Sequence, residues 1–258
     1  MAIPTLIVFA LLPIAGYLCG SIPFAWVIGK AKGVDIRTVG SKNIGATNLG
    51  RTFGKNYFFY AFFLDAAKGF FPVLTAALLT RMGNVYGVRA DGSLTRDFTG
   101  IVGVVKYGYP SWAPLLTAVA CVLGHNFPLW LKFKGGKGVA TSFGVVLGFW
   151  PLYTLAGLLG AGAFVFTLMV YRFISLASMV GACFFFAAVL ILGSNPKSKL
   201  TFMSPHELLP LAIVAGLLAL MIIVRHRGNI RRLLNGTEPR VGRREIEKAQ
   251  LRGEKRSQ

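Results

Sequence analysis

Two stretches of this chain, Met1–Gly29 and Val139–Tyr171, contain no charged side chain over more than a membrane's width. About 20 apolar residues cross a hydrocarbon core as a helix, and in lipid each backbone N–H and C=O must find its partner within the protein. Such runs commit the chain to a bundle of membrane helices. Charged residues make up only 14% of the 258 and hydrophobic ones 54%, which leaves little length for a soluble domain. The first run lacks a basic leader and is too long for a signal-peptide core, so it is expected to remain as a membrane helix. Cys19, Cys121 and Cys183 lie far apart in apolar segments and read as small core residues, without disulfide or metal-type spacing.

Membrane helices are expected near Pro4–Gly29, Asn56–Thr80, Tyr109–Leu131, Val139–Trp150, Leu152–Tyr171, Ser175–Gly193 and Leu208–Val224. Alternating the connections places 21 of the 28 Lys and Arg residues on one side and six on the other. The richer side is cytoplasmic by the positive-inside rule. The expected fold is therefore an all-α membrane protein of about seven transmembrane helices, some short or broken, with the N-terminus outside and the C-terminus cytoplasmic. Residues 1–224 form the membrane domain and 225–258 a cytoplasmic basic interfacial helix and tail, in which Ile230, Leu233 and Leu234 recur at helical spacing. Val139–Tyr171 is too short for two full crossings, and one crossing would put the basic tail outside. A break at Pro151 resolves this and leaves a short first piece entering from the cytoplasm. Gly16-x-x-x-Gly20 and Gly144-x-x-x-Gly148 mark close helix packing, and Pro23 should kink the first helix and free a carbonyl nearby.

Four polar clusters fall on the cytoplasmic side of that topology. Gly40–Arg51 packs three glycines, Ser41, Asn43, Thr47, Asn48, Lys42 and Arg51 into one segment, read as a loop whose N–H groups form a nest for an anion. His125-Asn126-Phe127-Pro128 with Lys134-Gly135-Gly136-Lys137-Gly138 offers free N–H groups at a helix start beside a lysine. It is not a nucleotide P-loop, because Leu131 stands where the first glycine is required. Tyr171-Arg172-Phe173-Ile174-Ser175 is a cation and a cap at a helix entrance. Arg225–Arg232 with Asn235–Glu238 adds His226, which can act near neutral pH as base or as phosphate donor. Together they describe a cationic, glycine-lined pocket for a small phosphorylated ligand. Asp65 and Lys68, one turn apart inside a membrane helix, read as a structural salt bridge; His206 reads as solvated. No Gly-x-Ser-x-Gly elbow, His-x4-Asp signature, dinucleotide fingerprint or metal cluster is present in the sequence.

The strings Gly20-Ser21-Ile22-Pro23, Asp35-Ile36-Arg37, Gly40-Ser41 to Asn48, Asp65 to Lys68-Gly69, Phe133–Thr141 and His226 to Glu238 resemble, in the same order, the bacterial acyl-phosphate:glycerol-3-phosphate acyltransferases. Lys42 departs from the pattern, where that family usually has glycine, and Arg81–Gly108 is longer than usual. The resemblance implies transfer of a fatty acyl group from acyl phosphate to the 1-hydroxyl of glycerol 3-phosphate, giving lysophosphatidic acid and phosphate. It implies no cofactor and no metal, and a multi-pass protein of the bacterial inner membrane with its site facing the cytoplasm. Its partners are the two substrates and the bilayer, not nucleic acid, with a functional link to a phosphate:acyl-carrier-protein acyltransferase. By the same resemblance Ser41, Thr47, Asn48, His226 and Asn229 are the catalytic candidates. Gly40, Asn43, Gly45, Arg51, Gly135, Gly136, Lys137, Gly138, Ser175 and Glu238 are the phosphate-binding ones. An acyl phosphate is already activated, so the work is positioning and charge stabilisation, and the substrate's own phosphate is a candidate base. The aromatic segment Tyr57–Phe63 is expected to line the acyl path. The rival reading is a transporter or channel for a phosphorylated metabolite, although no inverted repeat supports it.

Overall fold

The computed structural model of the chain describes residues 10–84, 87–88, 94–95, 112–198 and 200–242. Among those residues ten α-helices follow in order: α1 Leu12–Gly20, α2 Phe24–Ala31, α3 Ala46–Phe53, α4 Lys55–Asn84, α5 Trp112–Asn126, α6 Val139–Leu147, α7 Leu152–Tyr171, α8 Ile174–Ser194, α9 Pro205–Arg225 and α10 Arg227–Leu234. One short ladder pairs Gly87 with Thr95 and Val88 with Leu94. Six segments among the described residues are long and apolar enough to cross a membrane: Leu12–Ala31, Lys55–Leu79, Trp112–Leu131, Leu152–Tyr171, Ile174–Ser194 and Pro205–Arg225. The nine-residue α6 is apolar but too short to be one of them. At ~1.5 Å per residue it reaches only about half way through a hydrocarbon core of ~30 Å. The helix starts expected at Pro4 and Tyr109 lie outside the described residues, as do most of Arg81–Gly108 and the tail beyond Gly242.

The first span is two helices, not one. The chain breaks at Ser21–Pro23, where proline cannot supply the next N–H. The carbonyl of Ile22 exposed by the break accepts a hydrogen bond from Lys68 Nζ at 2.6 Å. Both small-residue motifs work by close approach. A side chain at Gly20 would strike the Cys121 carbonyl, and one at Gly144 the Ala66 carbonyl. Thus α1 packs on α5 and α6 on α4. The break expected at Pro151 is present: α6 ends at Leu147, capped by Gly148, and α7 starts at Leu152. At the start of α9, Ser204 and Glu207 form a reciprocal capping box.

One expectation fails. Gly40–Arg51 is not all loop, because Ala46–Phe53 is α3. Ala46 and Leu49 are buried in a small core with Ala25, Ile36, Ile44, Ala61 and Leu131, and Phe53 packs against it. Three apolar residues at helical spacing suffice when the opposite face is reserved for a cavity. A larger core, including Val122, Val145, Tyr153, Val189 and Leu218, joins α5 to α9 through the middle of the bundle.

Candidate active site

The four polar clusters meet at one cavity of about 120 Å³. Of the candidate residues, Ser41, Asn43, Gly45, Thr47, Asn48, Arg51, Lys137, Gly138, Ser175, His226, Asn229 and Glu238 line it. Three helices begin there. The lining includes Gly45, Ala46 and Thr47 at the start of α3, Gly138, Val139 and Ala140 at the start of α6, and Ile174 and Ser175 at the start of α8. Each start carries backbone N–H groups without helical partners and the positive end of a dipole. Three such ends around one cavity, with Arg51, Lys137 and Arg232, give it the positive character that suits an anion.

The loop before α3 is tied by one side chain. Asn48, only 1% exposed, accepts from the Ser41 N–H at 2.9 Å and donates to the carbonyls of Ile36 at 2.8 Å and Val39 at 3.2 Å. Its amide is occupied by backbone, so Asn48 shapes the loop from within the cavity wall. Gly40 does not line the cavity. It sits at φ +58°, where a side chain would strike the Asn48 oxygen. Lys42 is exposed at φ +57° and also lies outside the cavity lining.

Gly135 and Gly136 are likewise absent from the lining. The Gly136 N–H donates to the His125 carbonyl at 3.1 Å, and a side chain at Gly136 would overlap the His125 ring. Arg225 holds the loop from the other side, donating to the Gly135 carbonyl at 2.9 Å and the Gly136 carbonyl at 2.7 Å, with its guanidinium 5.4 Å from the Phe127 ring centroid. These glycines are therefore consumed in packing, not in a nest. Their effect is to present Lys137 and Gly138 to the cavity.

Glu238 is the hub of the opposite wall. It accepts from Ser175 Oγ at 2.7 Å, Asn229 Nδ2 at 2.6 Å and Arg232 Nε at 2.7 Å. Asn229 Oδ1 in turn accepts from Lys137 Nζ. Burial alone would raise the Glu238 carboxyl, but those three donors outweigh it and hold it below the usual range. An ionised carboxylate only accepts hydrogen bonds, so Glu238 lines the cavity as a group that positions Ser175, Asn229 and Arg232. Burial draws the Lys137 ammonium down to about 8, against the opposing pull of Glu238. Burial and the Lys137 charge take His226 down to about 4. His226 Nδ1 lies 2.8 Å from the Ile222 carbonyl. A carbonyl only accepts, so Nδ1 carries the proton and Nε2 is left as an acceptor.

Asp65 and Lys68 form the expected salt bridge at 2.7 Å, both almost fully buried. Sequence reasoning missed that Asp65 and His125 also line the cavity, with His125 Nδ1 3.7 Å from Asp65 Oδ1. It also missed Arg232 as a wall residue, although Arg232 falls one turn after Asn229 on α10.

A second cavity of about 330 Å³ lies between α6, α7, α8 and α9 and is almost wholly apolar. It shares Phe62, Val139, Phe164 and Ser178 with the polar cavity, so the two adjoin. Its space comes from small residues, among them Gly157, Gly160 and Gly181. From the aromatic segment expected to line an acyl path, Tyr57–Phe63, only Phe62 reaches it, while Phe59, Tyr60 and Phe63 are exposed on the outer surface.

Residues 10–236 match the family model described as glycerol-3-phosphate acyltransferase. The chain is 40% identical over 230 residues to the glycerol-3-phosphate acyltransferase of Aquifex aeolicus, covering 89% of this chain and 97% of that one. It is 41% identical over 235 residues to that of Anaeromyxobacter dehalogenans, with 90% and 96% covered. Among solved structures it resembles PlsY, an integral membrane glycerol 3-phosphate acyltransferase. In the glycerol 3-phosphate form the TM-score is 0.71 at 36% identity, covering 92% of this chain and 96% of that chain. In the lysophosphatidic acid form it is 0.68 at 35%, covering 90% and 94%.

Proposed function

The chain belongs to the glycerol-3-phosphate acyltransferase family of integral membrane enzymes, and from that premise we propose that it moves a fatty acyl group from acyl phosphate to the 1-hydroxyl of glycerol 3-phosphate at the cavity described above. One observation carries this reading. An apolar cavity sized for part of an acyl chain adjoins a cationic cavity at which three helices begin. The two reactants have those two characters: one anionic and polar, the other anionic at its head and apolar along its length.

Arg51 and Lys137, with the first N–H groups of α3, α6 and α8, hold the phosphates. Ser41, Asn43 and Thr47 lie along the same wall and orient the acyl-phosphate head. The hydroxyl oxygen of glycerol 3-phosphate attacks the acyl carbon, and the bond from that carbon to the bridging phosphate oxygen breaks. The phosphate departs with the electron pair. His226 accepts a hydrogen bond from the attacking hydroxyl through Nε2, but a group drawn down to about 4 does not keep the proton at neutral pH. The phosphate is the stronger base of the two, so the proton passes to a substrate phosphate and leaves with it or with solvent. Charge stabilisation from donors already in place does the remaining work, worth about 10²–10³-fold per donor.

The excess of Lys and Arg on the connections around this cavity supports a cytoplasmic site in the bacterial inner membrane, with the N-terminus outside. The acyl phosphate is then supplied from the cytoplasm by a phosphate:acyl-carrier-protein acyltransferase. Purified protein in vesicles, given radiolabelled glycerol 3-phosphate and palmitoyl phosphate, is expected to make chloroform-extractable label and an equal amount of phosphate. Label trapped inside sealed vesicles without acylation would instead support the transporter reading.

A further inference from the structure

The helix α10 has two faces with different company. Asn229 and Arg232 line the cavity. Arg227, Arg231 and Leu234, spaced four and three residues apart on the other face, are exposed. Leu234 is 82% exposed, more than any other described large hydrophobic side chain. Glu238 is the one acidic residue between Arg225 and Gly242, and its carboxylate is spent on Ser175, Asn229 and Arg232. Arg227 and Arg231 therefore stand without a carboxylate in their own segment. The helix starts two residues after the end of a membrane span at Arg225, which sets it at headgroup depth. The strap after it stays on the same surface: the Val241 N–H donates to the Arg172 carbonyl, and the Arg240 guanidinium lies 5.3 Å from the Phe173 ring centroid.

We propose that the outward face of α10 docks on the anionic headgroup surface of the bilayer, and that this docking holds the cavity wall carried by the same helix in its working shape. Arginines at headgroup level attract acidic lipid, and the leucine one turn beyond them on the same face enters the apolar boundary below. An acidic soluble partner would satisfy the arginines but not the leucine at that depth. Because Asn229 binds Lys137 and Glu238 from the opposite side of the helix, tilting or fraying α10 loosens both contacts at once. The chain thus turns over faster where its surface is rich in acidic lipid.

The test reconstitutes the whole chain in vesicles of phosphatidylcholine alone and in vesicles one-third phosphatidylglycerol. Amide hydrogen exchange over 226–235 is followed together with acyl transfer to glycerol 3-phosphate. In the acidic vesicles exchange is expected to slow and turnover to rise several-fold. Each arginine contributes on the order of fivefold to surface attraction. The double variant R227Q/R231Q should match the wild type in phosphatidylcholine and lose the gain in acidic vesicles, whereas R227K/R231K should keep it. Equal exchange and turnover in both vesicle types would overturn the proposal, as would a gain that survives in R227Q/R231Q. Should that variant fail to insert, the wild type decides: a salt titration must abolish the slowed exchange, and its persistence at high salt overturns docking by charge. Absence of acyl transfer in every vesicle would count against the reaction assigned above, while the exchange data would still decide the docking.

Discussion

The loop Val39–Gly45 and the strap ending at Glu238 both shape one cavity, but they are held by different means. The loop depends on a single neutral amide, Asn48, whose three hydrogen bonds all go to backbone. The strap depends on a charged network in which Glu238 gathers Ser175, Asn229 and Arg232, and Asn229 reaches Lys137. A neutral clamp fixes shape without altering charge. A charged hub fixes shape and also sets the protonation of its neighbours. Loss of the first should therefore appear as loosened structure, and loss of the second as altered titration.

The largest expected effect lies on the charged wall. Lys137→Ala should lower kcat/KM for glycerol 3-phosphate by about 10²–10³-fold, as for removal of one preorganised electrostatic donor, with the melting temperature nearly unchanged. A comparable loss of melting temperature would mean that Lys137 serves the fold instead. Next, Asn48→Ala should cost about 2 kcal/mol, because buried carbonyls lose their donor. It should also raise KM about tenfold, or roughly 1.4 kcal/mol of binding. If thermal unfolding is unaffected, the loop is held by something other than this amide.

A pH profile sharpens the contrast. Lys137 must be protonated to hold a phosphate, and burial draws it down to about 8. The kcat/KM profile, which reports the free enzyme, should therefore fall as pH rises through about 8. Glu238 raises the Lys137 value, so Glu238→Gln should move that limb to lower pH, whereas Asn48→Ala should leave its position alone. An unmoved limb in Glu238→Gln would remove the distinction between the two walls. The smallest effect belongs to Lys42, exposed in the left-handed region at φ +57°. A side chain there costs roughly 1–2 kcal/mol, partly offset by the greater unfolded freedom of glycine. Lys42→Gly should stabilise the protein by up to about 1 kcal/mol in chemical denaturation and leave turnover unchanged.

The same contrast explains what was legible in the sequence. Long uncharged runs and the distribution of Lys and Arg gave the helical bundle, the break at Pro151 and the grouping of four distant clusters, because hydrophobicity and charge act residue by residue. Ser41, Arg51, Lys137, Ser175 and Asn229 could be read as cavity residues for that reason. Glycine is ambiguous, since a missing side chain admits an anion or a neighbouring ring equally well. Gly136 admits the ring of His125, and Gly135 and Gly136 surrender their carbonyls to Arg225. The helix α3 was hidden because only Ala46, Leu49 and Phe53 mark its apolar face, while Thr47, Asn48 and Arg51 face the cavity. The apolar cavity was only partly legible for a related reason. Of the aromatic segment Tyr57–Phe63, Phe62 reaches it while Phe59, Tyr60 and Phe63 are exposed, and most of its space is made by glycines such as Gly157 and Gly160. The network around Glu238 was not legible because its three donors come from Ser175, Asn229 and Arg232, up to 63 residues away in sequence.

In the reaction proposed above, adjoining polar and apolar cavities let both reactants bind at once and the acyl group pass directly between them. Initial rates measured over a grid of acyl phosphate and glycerol 3-phosphate concentrations test this most directly. Intersecting double-reciprocal lines, the pattern of a ternary complex, are the expected result. Parallel lines, with acyl label left covalently on the protein before glycerol 3-phosphate is added, would contradict it.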